Sequence, residues 1–267
     1  MKWKKWKFPK AEVFVFPLLL MVIWETVVRL ELVPPSQSAA PSDVLSTLWH
    51  LIVSGELIKQ AGFSLARLVT GVLAGGLIGI ITGIILATSK IGDRFFSPTI
   101  QFLAGIPIVL WMPFCVMIFR TEEAFKISLA AVCTFFLVTL LTLQAVRLVE
   151  KKYLELATLY GRNFSEKVRE IYLPYSAPSI FSALRISLVI VWIVLFFVEY
   201  AIATPGREGL GWFIADARSV GKIEEEFAGL FFLGLLAFFT DWLVAKAQKG
   251  VSSWRESLET LFFTEEK

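Results

Sequence analysis

The chain has 267 residues and a mass of 30.0 kDa; 56% of it is hydrophobic, only 18% is charged, and its mean hydropathy is +0.69. Soluble domains run near about 45–50% apolar and about 25% charged, so this composition excludes a disordered protein, a disulfide-built secreted module and most soluble enzymes. The formal charge of +3 is too small to call for nucleic acid, and two cysteines with one histidine give no metal-ligand spacing.

The N-terminal segment Met1–Lys10 carries five lysines, which suit an anionic inner leaflet, with Trp3 and Trp6 as interfacial anchors. The apolar run Val13–Val28 follows, interrupted only by Glu25. No small-residue cleavage site comes after it, so it reads as a retained first membrane helix and not as a signal peptide. A turn-rich stretch, Val33 to Asp43, leads to a short helix through Val53, for which Ser42 or Asp43 is the expected cap.

Three wholly uncharged runs come next: Leu68–Thr88, Pro98–Phe119 and Ile127–Val146. Each approaches the roughly 20 residues that cross about 30 Å of hydrocarbon as a helix. Two more runs tolerate charge near an end: Ser179–Ala201, with Arg185 and Glu199, and Phe227–Ala245, with Asp241. Backbone in lipid must satisfy its own hydrogen bonds, so the sequence predicts an all-α polytopic membrane protein with six transmembrane helices. Cys115 and Cys133 sit inside these apolar runs and read as small hydrophobes.

Six helices put both termini on one side. The segments on that side hold 18 Lys and Arg, and the alternate segments hold 8. The excess assigns both termini and the long 147–185 connection to the cytoplasm. Residues 1–59 form a basic segment, first helix and outer linker, residues 60–249 a core of five spans, and residues 250–267 a cytoplasmic tail.

Within the core, Gly71, Gly75, Gly79 and Gly83 recur every four residues and line one face of the second span. Such a face admits a neighbouring helix closely, either as fixed packing or as a seam that slides. Pro107 and Pro113 interrupt the third span and predict a curved or broken helix of the kind found beside a pathway. Glu199 ends the fifth span just before a Gly/Pro-rich outer stretch that includes Thr204, Pro205, Gly206, Gly209 and Gly211. Its role reads equally as structural or as part of an outer gate. For Glu25 and Asp241 a snorkelling or helix-terminal role is favoured, and Arg185 takes the positive charge expected at a cytoplasmic span end.

The cytoplasmic connection, residues 147–179, is the most informative. A short helix from Lys152 to about Leu159 ends at Gly161, and a second begins near Asn163 or Ser165 and stops before Pro174. Leu156, Leu159 and Tyr160 are left to pack on a partner. Glu155, Ala157, Gly161, Ile171, Leu173 and Pro174 match the EAA pattern E-A-A-x3-G-x9-I-x-L-P in spacing throughout, with Leu156 where alanine is usual.

On these residues the chain resembles the permease subunits of ABC importers, and it looks like the nitrate, taurine and sulfonate branch. Ser64-Leu65-Ala66-Arg67, the Ile106 to Pro113 segment, Val198-Glu199 and Gly209-Leu210-Gly211-Trp212 are similar to that branch, as is the linker from Pro34 to Ser42. A departure is Arg120, where a glycine is common. The resemblance implies a type I importer permease fold in the inner membrane. It implies two permease copies, here a homodimer, with cytoplasmic ATPases that bind ATP and Mg on the EAA loops. An extracytoplasmic binding protein would deliver a small anion, a sulfonate or a vitamin-like or aromatic precursor.

The chain itself has no G-x4-G-K-[S/T] phosphate loop, so it is expected to bind no nucleotide, to need no cofactor of its own and not to be an enzyme. The rival reading is an ATP-independent carrier or channel, which has no need of a helix pair in a cytoplasmic loop. An intramembrane enzyme is disfavoured, because no catalytic motif is present.

Overall fold

The computed structural model of the chain describes residues 12–119, 121–202 and 207–263. Among the described residues every regular element is a helix: α1 (Glu12–Arg29), α2 (Pro41–Val53), α3 (Glu56–Thr88), α4 (Lys90–Ala104), α5 (Met112–Ile118), α6 (Glu122–Arg147), α7 (Lys151–Leu159), α8 (Phe164–Lys167), α9 (Leu173–Ala201), α10 (Leu210–Ser219) and α11 (Ile223–Phe263). Among the described residues four stretches are long and apolar enough to cross a membrane: α3, α6, the continuous rod Phe164–Ala201 and the Ile223–Gly250 part of α11. The pair α4 and α5 supplies a fifth if it counts as one broken span. The described residues thus supply four or five of the six expected spans. The expected first span falls on α1, which is 18 residues long and exposes apolar Val15 to Ile23 but is not among these candidates, carrying Glu12, Glu25 and Arg29 in its short length.

Two compact units divide the described chain. One holds residues up to 61 together with 200–234; the other holds 62–199 together with the chain from 235. In the first unit, Glu25 of α1 takes on the cap of α2. Its carboxylate accepts the Ser42 backbone N–H at 3.0 Å and the Ser42 hydroxyl at 2.8 Å. The expected cap from Ser42 or Asp43 does not form: the N-cap is Ala40, and both side chains are bound to Arg29 at 2.9 Å. A carboxylate lent by a neighbouring helix satisfies the same orphan N–H groups and adds a favourable charge at a helix N-terminus.

In the second unit, α3 lies against α6 along the glycine face. A Cβ added at Gly71 would sit 2.5 Å from Ala130 Cβ, and one at Gly83 would sit 2.7 Å from Thr142 Cβ. At Gly75 it would run into the Ala131 carbonyl, and at Gly79 it would meet Phe135 O and Val138 Cβ at 3.0 Å. Glycine inside a helix costs about 0.5–1 kcal/mol relative to alanine, and here that cost is offset by close backbone packing.

The third predicted span departs from a single kinked rod. α4 ends at Gly105, Pro107 opens a 3-10 turn over Ile108–Trp111, and Pro113 lies in the first turn of α5. The two arms are bent by 106°. Each proline starts a new element and does not merely bend an old one, because a first-turn proline has no intrahelical N–H bond to lose. Trp111 braces the corner, its ring 5.3 Å from Phe136 of α6.

Candidate functional site

The residues between α6 and α9 form an elbow that follows from local chemistry. α7 stops because Gly161 takes φ +70, with Gly161 N–H bonded to Thr158 O at 3.0 Å and Arg162 N–H to Ala157 O at 2.9 Å. That paired closure is the Schellman motif, and its left-handed residue favours glycine. The chain then restarts with a capping box: Asn163 Oδ1 accepts the Glu166 N–H at 2.9 Å, and Glu166 accepts the Asn163 N–H at 2.7 Å. Lys167 Nζ donates to Thr158 Oγ1 at 2.8 Å, and Arg162 reaches Glu166 and Glu170 at 3.4 and 3.3 Å, so the turn is fastened from both sides. At the start of α7 the Glu150 carboxylate, hydrogen-bonded to Lys152, holds that ammonium above the ordinary lysine range.

The second helix does not stop before Pro174. α8 runs into a π turn, Val168–Tyr172, in which Leu173 N–H bonds Val168 O, and α9 continues through Pro174 and Pro178. A wider turn gives the proline ring room at the carbonyl four residues back, which an α-helical turn lacks. Ile171, Leu173 and Pro174 therefore belong to a rod of 38 residues, Phe164–Ala201, joining the elbow directly to a span.

The outer surface of this elbow is apolar. Leu156, Leu159 and Tyr160 are 51%, 85% and 77% exposed, with Phe164 also exposed, while Ala157 is buried. Glu155 is exposed as the fifth residue of α7, beyond the first turn where a carboxylate gains most from the helix dipole. At the base of the elbow, Tyr175 Oη donates to Leu148 O at 3.1 Å, and Arg147 pairs with Asp93 of α4.

A second group of polar side chains lies in the same compact unit and is not local at all. Arg67 of α3 donates through Nη1 to Glu199 of α9 at 2.6 Å. Its other edge, Nε and Nη2, meets both oxygens of Glu123 of α6 at 2.7 and 2.6 Å. Ser64, three residues earlier on the same α3 face, donates to Glu199 Oε2 at 2.8 Å. The Arg67 and Glu199 side chains are 4% and 1% exposed, whereas that of Glu123 is 58% exposed. Next to it, Lys126 is buried and pairs with Glu122 at 2.6 Å.

Sequence reasoning singled out Glu199, but noted Arg67 only for its resemblance and left Glu123 aside. A signal was present, since all three charges sit within a turn of a span end and the charge bias assigns those ends to one membrane face. Asp241 and Arg185, weighed separately from the sequence, make a two-point ion pair at 2.8 and 2.9 Å between α11 and α9.

The other expected gate residues are distributed differently. Pro107 and Pro113 are exposed at the break between α4 and α5. Gly209 and Gly211 belong to the other compact unit, where Gly209 takes φ +131 and its N–H donates to Gln60 Oε1 at 2.8 Å, and Gly211 is buried at the start of α10. Thr204, Pro205, Gly206 and Arg120 lie outside the described residues.

Among the described residues the regular elements are all helices, one candidate span is broken, and the elbow continues into a membrane-length rod, which is the architecture of a polytopic membrane protein. Residues 75–253 match the family described as binding-protein-dependent transport system inner membrane component, and the chain belongs to it. It is therefore a multi-pass inner-membrane permease subunit of the ABC importer class. The chain is 29% identical over 245 residues to a putative aliphatic sulfonates transport permease protein of Bacillus subtilis, covering 92% of this chain and 88% of that one. It is 25% identical to a taurine transport system permease protein of Escherichia coli (96% and 95% covered) and 24% identical to a bicarbonate transport system permease protein of Synechocystis (92% and 91%). Its fold is that of a chain in a bacterial ABC transporter for the polysaccharide alginate, with a TM-score of 0.64 at 16% identity over 91% of this chain and 93% of that one. A chain of the MetNI methionine ABC transporter gives 0.60 at 19% identity, over 73% and 95%.

Proposed function

We propose that two copies of this chain pair to form a solute pathway, with both termini in the cytoplasm, and that the 151–172 elbow of each copy seats on a separate ATP-hydrolysing subunit that binds ATP and Mg. An extracytoplasmic binding protein delivers the solute, a small anion of the sulfonate type. The solute class is supported by the names of the sulfonate, taurine and bicarbonate relatives, and the orientation by the lysine and arginine bias.

The observation that carries this reading is the continuity of the exposed apolar elbow with the rod Phe164–Ala201. An apolar foot exposed on an otherwise polar loop calls for a partner surface. Fused to a span without a break, it transmits a displacement of that partner into the bundle.

The test is Gly161→Val. Open space surrounds the Cβ position, so the substitution acts through backbone alone, forcing a β-branched residue toward φ +70. In vesicles reconstituted with the ATPase and the binding protein, uptake per ATP hydrolysed should fall severalfold while the permease still assembles. Unchanged coupling with fully bound ATPase would remove the lever from the mechanism.

A further inference from the structure

We propose that Arg67 is an anion-binding position which Glu123 occupies in this structure, and that the sulfonate or carboxylate head of the transported solute takes the place of Glu123 on the guanidinium. The inference rests on the small-anion reading of the solute given above, and it assigns that anion a residue.

The two carboxylates on Arg67 are unequal. Glu199 is buried, accepts a second hydrogen bond from Ser64, and is bound on the inner edge of the guanidinium. Withdrawing it would strand a charge in a low-dielectric site. Glu123 holds the other edge from the first turn of α6, and more than half of its side chain reaches solvent. It can rotate away into water with little loss of hydration.

The edge it holds is the one suited to exchange. Nε and Nη2 present two parallel N–H groups to two oxygens at 2.7 and 2.6 Å. This fork fits any group offering two oxygens on one face, a sulfonate as well as a carboxylate.

Charge supplies the selection. The outer edge of the Arg67 guanidinium is matched by the single negative charge of Glu123. An arriving monoanion that displaces Glu123 brings the same charge to that edge, whereas a neutral or cationic solute brings none and does not compete with the tethered carboxylate. Glu123 thus acts as a tethered stand-in for the solute head and ties α6 to α3 until an anion replaces it. A purely structural tie between these helices has no affinity for free anions when Glu123 is removed, and that difference is measurable.

The experiment uses the full chain in lipid nanodiscs as wild type, Glu123→Ala, and Glu123→Ala combined with Arg67→Lys. Methanesulfonate is titrated against uncharged methanesulfonamide and against chloride at equal ionic strength, read by calorimetry and thermal midpoint. Methanesulfonate should bind Glu123→Ala saturably, at least about tenfold more tightly than it binds wild type, with no response to the sulfonamide. Restoring a point charge without the fork, through Arg67→Lys, should weaken that binding about tenfold.

Equal responses in wild type and Glu123→Ala, or indifference to Arg67→Lys, overturn the proposal. Should Glu123→Ala fail to fold, Glu123→Gln keeps the side-chain volume and should show the same order with a smaller gain; no gain there overturns it equally. Uptake of methanesulfonate and longer alkanesulfonates by the assembled importer is a separate measurement. Its failure retires the solute class, while the nanodisc titration reads Arg67 alone.

Discussion

The elbow at 151–172 and the cluster around Arg67 are both fastened by charged side chains, yet they are opposite kinds of construction. In the elbow the partners lie three to nine residues apart and are exposed, as with Asn163 and Glu166 or Lys167 and Thr158. In the cluster they lie 56, 132 and 135 residues apart, and Arg67, Glu199 and Ser64 are buried. Exposed pairs are each worth between nothing and about 1 kcal/mol, because water competes for both ions. A buried pair gains little over an apolar substitute, yet breaking it from one side costs about 3–5 kcal/mol, because a charge is left stranded. The elbow is held by many cheap local ties and shaped for contact. The cluster stakes the register of three helices on one guanidinium.

The sharpest way to break the comparison is to show that neither region matters beside the seam between α3 and α6. Gly75→Leu should give the largest effect of all, loss of assembled permease on size exclusion after detergent extraction, since its side chain would have to enter the Ala131 backbone. Normal yield and uptake would mean the seam opens far more readily than its packing indicates.

Next in size is Glu199→Ala, expected to lower stability by about 3 kcal/mol as seen in thermal or denaturant unfolding, with Glu199→Gln milder because the amide still accepts from Arg67. If both variants unfold as wild type does, the cluster carries no structural stake. A smaller effect, confined to assembly, is expected from Leu159→Asp. The side chain is 85% exposed, so stability should not change, while affinity for the ATPase falls at least about tenfold in pull-down or surface binding. The smallest belongs to Arg162→Ala. Its two exposed pairs should leave the thermal midpoint where it was, and a large drop would move the elbow into the same energetic class as the cluster.

The same contrast separates what was legible in the chain from what was not. Gly161 as a helix stop, Asn163 as a helix start and the exposed Leu156, Leu159 and Tyr160 are statements about neighbours in sequence. Backbone hydrogen bonding within one or two turns is enough to produce them. The long spans were legible for a related reason, since about 20 apolar residues in lipid have no alternative to an internally bonded helix. The continuation of α9 through Pro174 was not legible, because it depends on a π turn that no residue preference announces.

Sequence alone therefore determined an all-helical membrane protein with an exposed apolar elbow, because composition and short-range spacing settle both. The permease class entered through the resemblance carried by Glu155, Ala157, Gly161, Ile171, Leu173 and Pro174. Tertiary structure alone decided that Arg67 stands between Glu123 and Glu199, that Glu25 caps α2, that Asp241 answers Arg185, and that the third span turns through 106°. Each of these joins side chains or helical arms whose meeting is fixed by how helices pack, and packing is a property of the whole bundle rather than of any stretch of chain.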